Sequence, residues 1–131
     1  MIIALDPGQN LGIAFVEEDG RLLWCEIITL EDLKTLDVPP SSTLVVGDGT
    51  GHEKVLQVLR ERSLLYYVVD EVGTTLEAHT LYFKDHPPKG LLRFLPRGLW
   101  AAPRNLDDYA AYAIALRYLE EREKRKEEGK N

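Results

Sequence analysis

The sequence has a single cysteine, Cys25, which excludes an intramolecular disulfide and leaves the core to hold the chain together. Cys25 sits in an apolar run and reads as a small core residue rather than a reactive thiol. The three histidines, His52, His79 and His86, are isolated from one another, and with one cysteine they offer no zinc-ligand spacing. No apolar run approaches the ~20 residues that a membrane-spanning helix needs. The N-terminus lacks the basic stretch and cleavage site of a secretory leader, so a cytoplasmic protein without a membrane partner is expected. An excess of positive charge is missing too. A net charge of −6 argues against a broadly basic coat for nucleic acid.

What is present fits one domain: 131 residues, 44% of them hydrophobic and 29% charged. We expect residues 1–119 to form it, with a charged helical end and tail over 120–131. The acidic balance reverses in one place. Between Lys84 and Arg104 five bases, Lys84, Lys89, Arg93, Arg97 and Arg104, meet one acid, Asp85. Residues 86–103 within that stretch carry four prolines and much apolar surface, so they read as an excursion over the domain rather than a linker. Its bases can follow a phosphate backbone while Trp100 or Phe94 stacks on a base. Equally, its arginines can pair with the acidic remainder of the domain.

Periodicity predicts the order βββαβαβα. Ile2 to Leu5 form an uncharged run that ends on Asp6 and is broken by Pro7 and Gly8, the pattern of a buried strand delivering a carboxylate to its tip. Asp6 is then either a turn cap or a ligand. Strands are expected over 11–16 and 22–28, joined by a hairpin at Asp19-Gly20. Thr29 and Asp32 have the spacing of a capping box for a short helix over 30–36. A strand over 43–46, a helix over 53–62 and a strand over 64–69 follow. Thr74 and Glu77 again have capping-box spacing, for a helix to 83, and Asn105 is the expected N-cap of a last, alanine-rich helix. Alternation of strand and helix in the second half implies parallel pairing with the first strand.

Ligands in such sheets bind beyond the carboxyl ends of the strands. Asp6, Asp48 and Glu71 are expected at that edge, and Asp108, in the first turn of the last helix, can point at the same spot. Asp107 equally suits the positive end of the helix dipole. Carboxylates crowded together raise one another's pKa, and a hard divalent cation relieves the conflict. An all-oxygen set suits one or two Mg²⁺ or Mn²⁺ ions, which can drive phosphodiester hydrolysis.

These residues carry a resemblance. Ala4-Leu5-Asp6-Pro7-Gly8 with Gly12-Ile13-Ala14-Phe15-Val16, then Val45-Val46-Gly47, then Asp70-Glu71-Val72-Gly73-Thr74-Thr75-Leu76-Glu77-Ala78, then Asp108-Tyr109-Ala110-Ala111 resemble the RuvC/YqgF branch of the ribonuclease H-like superfamily. The resemblance implies an α/β fold with a five-stranded mixed sheet in order 3-2-1-4-5 and helices on both faces. It also implies metal-dependent cleavage of structured RNA or of branched DNA such as a Holliday junction. Asp6 matches the first-strand acid and Asp108 the helix acid. For the middle acid, Glu71 matches by motif and Asp48 by position on the fourth strand. Two further readings stay open: a catalytically silent nucleic-acid or protein binding module on the same fold, and a nucleotide-binding fold of the actin/hexokinase type, which normally needs two such domains. Oligomeric state is left open, a homodimer included.

Overall fold

A computed structural model describes residues 1–87, 94 and 105–128. Strands β1 (Ile2–Asp6), β2 (Leu11–Val16) and β3 (Leu22–Ile28) form an antiparallel meander, followed by α1 (Leu30–Thr35), β4 (Thr43–Gly47), α2 (His52–Glu61), β5 (Tyr67–Val69), α3 (Thr74–Asp85) and α4 (Asp107–Glu128). The sheet runs β3-β2-β1-β4-β5, with β4 parallel to β1 and β5 parallel to β4. This is the expected α/β, ribonuclease H-like architecture.

Every residue of β1 is buried, as a central strand covered on both faces requires. Its side chains alternate between two cores. Ile2 and Ala4 join Ala14, Val16, Val45, Ile114 and Ala115 under α4. Ile3 and Leu5 join Ile13, Val46, Leu33, Val55 and Leu59 under α1 and α2. The same alternation turns Asp6 towards the α4 face. The small residues of α4, Ala111 and Ala115, let the helix lie close to the sheet.

The Asp19-Gly20 hairpin forms with Gly20 at φ 91°, a left-handed conformation that glycine adopts without cost. Thr29 and Asp32 make the predicted capping box on α1. Arg62, at the end of α2, closes the other end of α1 by donating to Leu33 O at 2.8 Å and Leu36 O at 2.7 Å. Arg62→Ala should therefore cost about 2 kcal/mol, since it strips a charged donor from two carbonyls at once. Urea unfolding with an unchanged m-value checks this.

Local expectations fail in three places. The box at the start of α3 does not form: Gly73 is the N-cap, without a side-chain cap bond, and Glu77 is drawn instead to Arg117 at 2.7 Å. Helix α4 starts at Asp107 rather than after an Asn105 cap, its first bond running from Ala110 N to Leu106 O, and it continues to Glu128. Strand β5 is only three residues long, because residues 64–66 do not join the ladder with β4. Among the described residues, no helix is long and apolar enough to cross a membrane.

Candidate functional site

Register fixes the centre of the site. Asp6 is the last residue of β1 and lies opposite Gly12 on β2. Gly12 has a steric reason to be glycine: a Cβ there would overlap the backbone carbonyl of Asp107. Its bare backbone lets the first turn of α4 press onto β2 beside the tip of β1. Asn10, in the β1–β2 turn, then donates from Nδ2 to Asp107 Oδ2 at 3.2 Å and holds that carboxylate at the edge.

Glu71 arrives from the other side. Its carboxylate lies across the backbone at the end of β4, where a Cβ on Gly47 would overlap Oε1 and one on Gly49 would overlap Oε2. Its own backbone is held at both ends. The Glu71 amide donates to Asp48 Oδ1 at 3.0 Å, and its carbonyl accepts from Thr74 N at 2.9 Å and Thr74 Oγ1 at 2.8 Å.

Asp6, Glu71 and Asp107 thus line one cavity of about 330 Å³, with Thr74, Ala78, His79, Asn105, Leu106 and Ala110 as its other described walls. No lysine or arginine is among those walls. The electrostatics follow. Asp6 is 8% exposed, and its carboxyl is pushed up to about 8 from an ordinary 3.8. Burial is the largest cause, the neighbouring Glu71 carboxylate comes next, and Asp107 adds repulsion. Glu71 Oε1 is otherwise buried with no hydrogen-bond partner among the described residues, an expensive state for a carboxylate oxygen.

Of the four acids expected at the edge, the fold brings Asp6 and Glu71 together. Asp48 is exposed, outside the cavity, and acts on Glu71 through the amide bond above. Asp108 is buried on another side of α4, where Oδ1 accepts from Tyr109 N at 2.9 Å and Oδ2 from Cys25 Sγ at 3.5 Å. Successive helical residues point about 100° apart, so only one of Asp107 and Asp108 can face Asp6, and it is Asp107. Asp70 is a turn residue, its Oδ1 accepting from Val72 N at 2.9 Å. Of the expected nucleic-acid contacts, Lys84 is exposed on the last turn of α3. Lys89, Arg93, Arg97, Trp100 and Arg104 lie outside the described residues.

Sequence reasoning named the wall residues His79 and Asn105 only as an isolated histidine and a helix N-cap, not as part of a site, and it did not name Arg117. Arg117 Nη1 donates to both Asp70 O and Val72 O, and Nη2 to Glu77 Oε1. No periodicity announces such a contact, because it joins α4 to a turn 45 residues earlier in the chain.

No protein-family model matches the chain, and no curated protein sequence matches it. Among solved structures the chain is similar to RuvC of Thermus thermophilus, with 20% identity over 92% of this chain and 95% of that one and a TM-score of 0.47. It is also similar to a structure of T. thermophilus RuvC in complex with a Holliday junction substrate, with 19% identity, coverage of 88% and 90%, and a TM-score of 0.43.

Proposed function

We propose that this protein is a divalent-metal-dependent endonuclease of the cytoplasm that hydrolyses phosphodiester bonds in structured nucleic acid, either an RNA precursor or branched DNA such as a Holliday junction. Asp6, Glu71 and Asp107 would hold one or two Mg²⁺ or Mn²⁺ ions. The observation that carries this reading is the buried, unpartnered Oε1 of Glu71 beside a carboxyl raised to about 8, in a cavity whose described walls bring no lysine or arginine. An all-oxygen donor set of that kind fits a hard cation and little else.

A bound ion of this class would supply charge neutralisation at the phosphoryl group and activation of the attacking water. The residues of the chain supply position. Asn10 fixes Asp107, Asp48 fixes the Glu71 backbone, and Gly47 and Gly49 leave room for its carboxylate. The basic run that includes Lys84, Lys89, Arg93, Arg97, Trp100 and Arg104 would meet the backbone and bases of the substrate.

One observation favours the silent binding module: among the described residues no three His, Cys, Asp or Glu side chains are so placed that they could hold a metal ion as they stand. Calorimetric titration with Mn²⁺, alongside cleavage of a four-way DNA junction and of a stem-loop RNA, decides between the two. The nuclease reading expects Mn²⁺ binding at millimolar concentration or tighter, with cleavage of one substrate that stops in EDTA. Binding of nucleic acid with neither result would leave the module.

A further inference from the structure

We infer that Arg117 is a positioning residue for Glu71, a two-pronged clamp on the carbonyls that flank it. This rests on the metal-site reading above and names what keeps that site in shape. Glu71 sits in a turn after a three-residue edge strand, and such turns are easily deformed. One guanidinium nitrogen of Arg117 meets both Asp70 O and Val72 O, so the residues on either side of Glu71 are tied to the middle of α4. The second nitrogen meets Glu77 on α3, which orients the guanidinium plane. Asp107, in the first turn of the same helix, faces the same cavity. Helix α4 therefore carries one acid of the cavity itself and holds another at arm's length. A guanidinium divides the task between two nitrogens fixed in one plane, Nη1 on the carbonyls and Nη2 on Glu77, whereas an ammonium has one freely rotating nitrogen for all three acceptors.

The test uses the full chain without metal and with Mn²⁺. In Arg117→Ala, amide exchange at Glu71 and Thr74 is expected to quicken at least tenfold while the amides of Ile3 and Leu5 in β1 keep their protection. The apparent affinity for Mn²⁺ should fall about tenfold. Arg117→Lys should recover only part of both, whereas Glu77→Gln, which leaves the carbonyl contacts in place, should change each less than threefold. Unchanged exchange at Glu71 and Thr74 in Arg117→Ala would overturn the inference, and so would full recovery by lysine, since charge alone would then suffice. If the parent protein binds no Mn²⁺, the metal reading fails, yet the exchange rates still decide whether Arg117 holds the turn.

Discussion

Asp6→Asn should be more stable than the parent protein at pH 8 and unable to cleave. The carboxyl ionises near its ordinary 3.8 in the unfolded chain but only near 8 in the fold. A folded pKa above the unfolded one means that the native state binds the extra proton, so its stabilising contribution is complete below about pH 4. It is lost as the pH climbs from about 4 to about 8, and stays lost above that. Every tenfold difference in proton affinity between fold and unfolded chain is worth about 1.4 kcal/mol, which sets a ceiling of about 6 kcal/mol on the loss; relaxation and solvent access to the cavity reduce it to an expected ~2 kcal/mol. Asparagine cannot ionise, so the variant escapes the penalty. Its melting temperature should match the parent's at pH 4 and exceed it by roughly 5–10 °C at pH 8. Mn²⁺ should reverse the order, because only the parent gains from binding, by about 2.7 kcal/mol at a hundredfold excess over Kd. The same proton must leave before a cation enters, so the parent's affinity for Mn²⁺ should rise by up to about tenfold for each step of one in pH between pH 6 and pH 8. Thermal unfolding of both proteins at pH 4, 6 and 8, with and without Mn²⁺, reads all of this. A variant no more stable than the parent at pH 8 would contradict the strained carboxyl.

Gly12→Ala and Gly47→Ala should separate folding from function, since each adds the same methyl group in a different setting. At Gly12 the new Cβ meets the Asp107 carbonyl and the Asp108 amide nitrogen, backbone that can yield only if α4 lifts off the sheet. Helix α4 covers Ala4, Ala14 and Val45, so the expected cost is about 3 kcal/mol. At Gly47 the new Cβ meets the carboxylate and Cγ of Glu71, the far end of a flexible side chain. Stability should change by less than about 1 kcal/mol, but Glu71 must swing away from Asp6. Gly47→Ala is therefore expected to fold normally and lose at least tenfold in Mn²⁺ affinity and cleavage. Urea unfolding together with calorimetry tells the two variants apart. Equal destabilisation of both would show that the Glu71 carboxylate is packed as rigidly as backbone.

Some parts of this arrangement were legible in the sequence because a local rule and the tertiary fold agree there. The apolar run into Asp6 is an example: only a strand buried on both faces tolerates it, and a charge is tolerated only at its end. Thr29 with Asp32 is another, since nothing nearby competes for either side chain. Thr74 with Glu77 has the same spacing, but Arg117 offers Glu77 a charged partner and the cap loses. The helix acid was legible as a pair but not as a member. Asp107 and Asp108 are equivalent to any rule about helix starts, and the choice depends on the rotation of α4, which is set by its contact with Gly12. Asp48 and Glu71 were indistinguishable for a similar reason, because both stand at the sheet edge and only the path of the turn shows that one holds the other.

The three acids of the cavity come from segments far apart along the chain, and the last of them is on α4. A polypeptide synthesised as far as the end of α3 holds Asp6 and Glu71 but neither Asp107 nor Arg117. The cavity is thus assembled late in the order of the described elements: until α4 docks, Asp6 and Glu71 face each other without their third wall, and the turn around Glu71 lacks its anchor.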